Sequence, residues 1–132
     1  MKKPSIKHAV YLIILLGIVL YRYNVLKIPT KEFEEETTII DNLRSKKLIY
    51  TQHAECRMDC RYISEEEIKA ALQSGRINHQ KSDLKDQPCP TYAIEDRTAD
   101  GQSIRIILAD CMDVVKVVTA IDLDEEHQCD CQ

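Results

Sequence analysis

Tryptophan is absent from this 132-residue chain, which also has only one phenylalanine, three glycines and four prolines. So little glycine and proline excludes collagen-like and low-complexity architectures. The chain also lacks a Walker loop, a dinucleotide-binding fingerprint, an HExxH helix and a nucleophile elbow. Hydrophobic residues make up 44% and charged residues 30%, as in ordinary folded domains. The length suits one such domain, and no motif names a reaction.

Acidic residues are missing from the first 31 positions, which contain six lysines and arginines. The other 12 bases and all 22 acids follow, so residues 32–132 carry a formal charge of −10. A domain of that charge repels phosphate, and nucleic-acid binding is therefore not expected. The basic residues flank an apolar run, which points to a membrane surface as a partner.

The apolar run Ala9–Tyr21 is about 20 Å long as a helix, and it reaches spanning length when it is extended to residues 6–28. A cleaved signal peptide and a buried helix of a soluble protein are the alternatives. No small-residue cleavage site follows the run, and the first cysteine is Cys56, which excludes lipoprotein processing. We therefore expect an uncleaved, single-pass transmembrane anchor at residues 9–28.

The orientation of this anchor depends on the short, basic N-terminal head. Lys2, Lys3 and Lys7 lie there with the α-amino group, and translocating them is costly. We expect the head in the cytoplasm and the C-terminal domain outside it.

Two helix starts can be read after the anchor. Thr51 can cap a helix that runs to about Arg61. Ser64 and Glu67 form a capping box for a second helix, and Gly75 is placed to end it.

Beyond the second helix the hydrophobic period changes from helical to alternating. Strands are expected at residues 76–80, 92–96, 104–108 and 114–123. Pairing Ile94 with Ile106, and Tyr92 with Leu108, keeps the apolar side chains on one face. This register places Gly101 at the left-handed position of a three-residue loop.

The expected fold class is α+β, with an N-terminal transmembrane helix and then two or three helices packed on a four-stranded antiparallel β-meander. The expected segments are a basic cytoplasmic head at 1–8, the transmembrane anchor at 9–28, an acidic stalk or helix at 29–47, the α+β domain at 48–123 and a cysteine-containing acidic tail at 124–132.

One series of residues has a familiar order: His53-Ala54, Arg57-Met58, Arg61, Ile63, Ser64 to Ile68, Gly75, Tyr92 to Gly101 and a valine-rich last strand. Between about Ile49 and Ile121 the chain thereby resembles the domain of unknown function family numbered 4258. The resemblance implies two helices against an antiparallel sheet, similar in fold to the RelE and BrnT ribonuclease toxins. The family has no established activity, and Cys56 and Cys60 stand where its members typically carry charged or polar residues.

A toxin-like site would draw on His53, Arg57, Arg61 and Arg105. A metal-free ribonuclease needs a base for the 2′-hydroxyl, here His53, and a cation for the phosphate, here Arg57 or Arg105. The alternative is structural, with the arginines paired to acidic neighbours and His53 hydrogen-bonded at its helix start.

Four cysteines fall into two close pairs, Cys56 with Cys60 and Cys129 with Cys131. The first pair is spaced i, i+4 on a helix, with Cβ atoms about 5–6 Å apart, too far for a mutual disulfide. Together the four thiols could hold zinc as a cofactor, or they could form two disulfides between tail and helix. An exterior location favours disulfides.

The remaining cysteines flank the expected hairpin. In its register Cys89 stands opposite Cys111 at the open end, where directly opposed residues come close enough for a disulfide after slight fraying. The alternative is two unrelated cysteines.

From these features we expect a membrane-tethered, non-enzymatic interaction or structural module with a protein partner, stabilised by cysteine pairing or zinc. The alternative is a RelE/BrnT-like ribonuclease with His53 and Arg57 in its site.

Overall fold

The computed structural model describes the backbone of residues 6–25 and 30–131, and the side chains of residues 6–23 and 34–131. The chain divides into two units, residues 1–34 and 35–132.

The helices are α1 (Ile6–Val25), α2 (Thr30–Ser45), α3 (Gln52–Cys60) and α4 (Glu65–Ser74). The strands are β1 (Lys47–Tyr50), β2 (Arg76–Ile77), β3 (Thr91–Arg97), β4 (Ser103–Asp110) and β5 (Val114–Asp122).

The first unit contains α1, a helix of 20 residues with Arg22 in its last turn. Its stretch Ile6–Tyr23 has a mean hydropathy of 1.5, and none of that stretch is buried. By length and composition α1 is therefore apolar enough to cross a membrane. Residues 1–5 of the expected head and 26–28 of the expected anchor lie outside the described residues.

The second unit is built on one five-stranded sheet with the order β1-β5-β4-β3-β2. Strands β2 to β5 pair antiparallel in chain order, but β1 lies parallel to β5, with Leu48 opposite Val115. The expected four-stranded antiparallel meander is therefore wrong, because the sheet is mixed and has a fifth strand. Strand β1 has only four residues, and its partner follows more than 60 residues later, so no local pattern indicates the pairing.

The register of the β3–β4 hairpin is confirmed: Ile94 lies opposite Ile106, and Tyr92 opposite Leu108. At its tip Gly101 has a φ of +100°, in the left-handed region where an L side chain is strained.

The start of α3 is fixed to an irregularity in β5. The pairing register between β5 and β4 shifts at this point, so that no residue of β4 stands opposite Val118. The Thr51 backbone N–H donates to the Val117 carbonyl at 3.1 Å, and the Thr51 side-chain oxygen accepts from the Ala54 N–H at 3.1 Å. The N-cap residue of α3 is thus also bound to the sheet.

Helix α4 begins with the expected capping box and ends at the expected glycine. Ser64 N–H donates to Glu67 Oε2 at 2.8 Å, and the Ser64 hydroxyl oxygen accepts from Glu67 N–H at 3.3 Å. The φ of Gly75 is −71°, so the left-handed region is not what requires glycine. A Cβ there would lie 2.4 Å from the Ala71 carbonyl oxygen and 2.6 Å from Ile94 Cγ2. Glycine is required because the helix end lies against β3.

The core lies on one face of the sheet, beneath α2, α3 and α4. Its buried side chains include Ile40, Leu43, Ala54, Met58, Ile68, Leu72, Ile94, Ile104, Ile106, Leu108, Val115 and Val117. Arg44 Nε of α2 also donates to the Leu72 carbonyl at 2.7 Å, which joins α2 to α4. Because side chains alternate along a strand, Glu95 and Arg105 lie on the opposite face of the sheet.

Replacing Gly75 with alanine should destabilise the second unit. The added methyl would overlap the Ala71 carbonyl and Ile94, and overpacking of this kind costs about 1–3 kcal/mol. Chemical denaturation of the intact chain measures the change. The matched control, Gln73→Ala at an exposed position of the same helix, should stay within about 0.5 kcal/mol. A Gly75→Ala chain that is as stable as wild type would contradict the conclusion that this position requires glycine.

Candidate functional site

Two disulfides join α3 to the C-terminal tail, which we define as residues 124–131. They are Cys56–Cys131 and Cys60–Cys129, each with a Cα–Cα separation of 5.8 Å. The structure thus brings together the four cysteines that their spacing groups in the sequence. Because the later helix cysteine bonds the earlier tail cysteine, the tail runs antiparallel to α3.

The third disulfide, Cys89–Cys111, closes the open end of the β3–β4 hairpin, with a Cα–Cα separation of 5.2 Å. Just inside it, the Asp110 N–H donates to the Pro90 carbonyl at 2.8 Å. Within the described part of the chain no cysteine is free, and no cluster of three or more His, Cys, Asp or Glu side chains is arranged to hold a metal ion. The sulfurs considered as zinc ligands are engaged in S–S bonds here.

The carboxylate of Asp122 holds the start of the tail. This side chain is 4% exposed and ends β5. Its Oδ2 accepts from Gln102 Nε2 at 2.7 Å and from His127 Nε2 at 2.8 Å. Its Oδ1 accepts from the backbone N–H groups of Asp124 and Glu125, at 2.8 and 3.1 Å. One buried group therefore fixes both the turn after β5 and the histidine of the tail.

Burial by itself would raise the pKa of Asp122. The hydrogen bonds from Gln102 and His127, together with those from the Asp124 and Glu125 N–H groups, outweigh burial and hold this pKa well below its usual range. The group is therefore a fixed negative charge at neutral pH.

The Arg61 side chain is bound to the end of the sheet. Its Nη1 donates to the Ala120 carbonyl, and its own carbonyl accepts from Gln102 Nε2 at 3.1 Å. Burial lowers the pKa of Arg61, the neighbouring Arg57 lowers it further, and Asp122 opposes both. Arg61 is a structural member of the site.

Between α3 and the tail lies a cavity of about 410 Å³, which we call the α3–tail cleft. It is lined by Arg57, Arg61 and residues 121–127. Arg57 is half-buried, and within residues 34–131 its guanidinium has no hydrogen bond or ion pair. The cleft lies within the size range of ligand pockets, and Arg57 is its uncommitted cation.

The other ribonuclease candidates lie away from this cleft. His53 is exposed on α3, one turn before Arg57, and is not among the lining residues. Arg105 lies on the opposite face of the sheet, with its Nη2 2.6 Å from Glu95 Oε1. Burial raises the pKa of Glu95, but the hydrogen bonds from Arg105 and Asn78 bring it below the ordinary value. Arg105 is thus occupied by an ion pair and does not line the cleft that contains Arg57.

Sequence reasoning missed Asp122 and His127 as members of the site, and Tyr62 as a neighbour of His127. Tyr62 joins α3 to α4 with a φ of 57°, is 83% exposed, and its ring centroid lies 6.3 Å from that of His127 in an edge-on arrangement. The signal that could have revealed Asp122 is its position at the end of a strand, followed by two more acidic residues whose N–H groups it can accept from.

These features define a small α+β domain with a mixed sheet and a tail linked to a helix by disulfides. Residues 50–122, more than half of the chain, match the family model described as Domain of unknown function (DUF4258). The chain belongs to this family. Comparisons with curated proteins and with solved structures give no match.

Replacing Asp122 with asparagine should lower stability by about 1–3 kcal/mol at neutral pH, because charged hydrogen bonds are lost in a buried setting. The pKa of Asp122 is lower in the folded state than in the unfolded state. The ionised carboxylate therefore stabilises the fold at pH values above the unfolded-state pKa of about 3.9, and this stabilisation is lost as the pH falls toward the folded-state pKa. The difference in the free energy of unfolding between Asp122→Asn and wild type should therefore become smaller below about pH 4.

Unfolding curves measured from neutral to acid pH give this difference. Asp113→Asn, at an exposed position in the β4–β5 turn, is the control and should match wild type throughout. A pH-independent loss in Asp122→Asn would show that shape, not charge, matters there.

Replacing Cys129 and Cys131 with serine should lower the melting temperature, because each disulfide constrains a long loop of the unfolded chain. The expected loss in the free energy of unfolding is about 2–4 kcal/mol or more. A reductant should lower the melting temperature of wild type at least as far, because it also reduces Cys89–Cys111, whereas a chelator should leave it unchanged. Sensitivity to the chelator together with bound zinc would instead assign the four thiols to a metal. An unchanged melting temperature would leave the tail without a structural role.

Proposed function

We propose that this protein is a membrane-tethered, non-enzymatic interaction module whose second unit stands outside the cytoplasm. The observation that carries the proposal is the pairing of all six cysteines at disulfide distance. Disulfides persist in oxidising compartments and are rare in the cytosol of most organisms. The cysteines therefore support an exterior location for this domain.

The tether in this proposal is α1. Its length and composition are those of a membrane span, and the lysines before it favour an N-terminus that stays in the cytoplasm. The orientation from charge and the compartment from cysteine pairing are independent arguments, and they agree.

The non-enzymatic part of the proposal is supported by the separation of the catalytic candidates. Arg105 is paired with Glu95 on the other face of the sheet, and His53 does not line the cleft. The formal charge of −10 over residues 32–132 also opposes binding to an RNA backbone. A protein partner is more compatible with this surface than a nucleic acid.

The RelE/BrnT-like fold belongs to the same proposal. It is supported by the antiparallel order β2 to β5 with helices on one face. The alternative function, a ribonuclease of that kind, is favoured by one observation: Arg57 lies uncommitted in the cleft, one helical turn from His53.

Thiol labelling tests location and redox state together. The chain is produced in a bacterial host, and spheroplasts are treated with a membrane-impermeant maleimide, with or without an impermeant reductant. We expect labelling only after reduction and without lysis. A Ser5→Cys variant is the matched control, because its added thiol should label only after lysis. Labelling of the native cysteines only after lysis would place the domain in the cytoplasm.

An RNA-cleavage assay separates the two functions. The purified full chain in detergent should leave a mixed-sequence RNA intact. Cleavage that disappears in both Arg57→Gln and His53→Ala, but not in Arg76→Gln, would establish the ribonuclease and reject the non-enzymatic module.

A further inference from the structure

We propose that the α3–tail cleft binds a small zwitterion, an α-amino acid with an apolar side chain. Its carboxylate would pair with Arg57, and its ammonium group with Glu125 and Glu126. This inference goes beyond the proposed function, because it assigns a small-molecule site of stated chemistry to the domain.

The cationic wall of the cleft is formed by Arg57 of α3 and by Arg61, the C-cap residue that follows this helix. Arg61 on that wall is already bound to the Ala120 carbonyl, whereas Arg57 is half-buried and has no partner within residues 34–131. A guanidinium presents its donors as a planar fork that matches the two oxygens of a carboxylate. Arg57 is therefore the group available for an anionic end of a ligand.

The acidic wall is formed by the tail. Asp122 is bound to Gln102 and His127, and Asp124 Oδ2 accepts from the Ser103 N–H at 2.6 Å. The carboxylates of Glu125 and Glu126 line the same cleft and have no partner among the described side chains. They are available for a cationic end of a ligand.

The two walls do not neutralise each other. Among the described side chains, no ion pair within 4.0 Å joins Arg57 to Glu125 or Glu126, although all three line one cavity. A simple anion would satisfy Arg57 while facing the glutamates, and a simple cation would face the reverse conflict. A ligand with both charges satisfies both walls, and a polyanion is opposed by the acidic one.

The apolar part of the ligand is indicated by two apolar residues among those that line the cleft. Ile121 is half-buried, and Leu123 is 41% exposed. An aliphatic side chain placed on them would remove apolar surface from water. A cavity of about 410 Å³ has room for an amino acid of this size.

The cleft is also held in place before any ligand arrives. The tail is bonded to α3 through Cys56 and Cys60, and Asp122 fixes its first turn. A preorganised site loses less conformational freedom on binding, so few contacts suffice for measurable affinity.

The test uses the full chain in detergent micelles and three matched probes: L-leucine, 4-methylpentanoate, which lacks the ammonium group, and 3-methylbutylamine, which lacks the carboxylate. Calorimetry or NMR titration measures each affinity. We expect L-leucine to bind at least about tenfold more tightly than either single-charge probe.

Variants assign each charge to its wall. Arg57→Gln should lower leucine affinity about tenfold and leave the amine unaffected. The double variant Glu125→Gln/Glu126→Gln should remove the preference for leucine over 4-methylpentanoate. Arg76→Gln and Glu55→Gln change exposed residues that do not line the cleft, and both should bind leucine as wild type does.

The inference is overturned if none of the twenty standard amino acids binds at about 10 mM, if the three probes bind equally, or if Arg57→Gln binds leucine as wild type does. These outcomes are separate from the labelling result. An exterior domain that binds no amino acid would overturn the ligand alone, whereas a leucine-binding domain that labels only after lysis would overturn the location alone.

Discussion

The buried carboxylate of Asp122 is the interaction on which the arrangement of the domain's C-terminal end depends. It accepts four hydrogen bonds from groups on both sides of β5 and remains ionised because those bonds outweigh the effect of burial. Through Gln102 it connects to the carbonyl of Arg61, where α3 ends. The Asp122 carboxylate therefore connects the end of α3, the end of β5 and the start of the tail through hydrogen bonds. These bonds give the α3–tail cleft a defined shape.

The disulfides act on the same region in a different way. Asp122 fixes the beginning of the tail with directional bonds that depend on protonation. Cys129 and Cys131 fix its far end covalently, with an effect that depends on the redox environment. The Cys89–Cys111 bond does not involve the tail. It closes the β3–β4 hairpin, whose register the hydrophobic pattern already sets. The tail is therefore held at its start by hydrogen bonds to a carboxylate and at its far end by disulfides.

Local features of this fold could be predicted from the sequence, whereas the long-range pairing of β1 with β5 could not. The capping box at Ser64, the hairpin register and the left-handed Gly101 are each encoded within a few residues, by caps, alternation and turn chemistry. Strand β1 finds its partner across most of the domain, and the Asp122–His127 pair depends on how the tail folds back. For the site, the grouping of cysteines was readable from spacing, but the charged lining of the cleft was not.

The parallel pairing of β1 with β5 has a consequence for biogenesis. The first strand of the domain is completed by one of its last segments, with Tyr50 opposite Val117. As the ribosome or a translocation channel releases the chain from its N-terminal end, β1 must wait unpaired until β5 has emerged. Pairing of β1 therefore follows the synthesis of β5, and a chain terminated before β5 would leave an open strand edge available for aggregation.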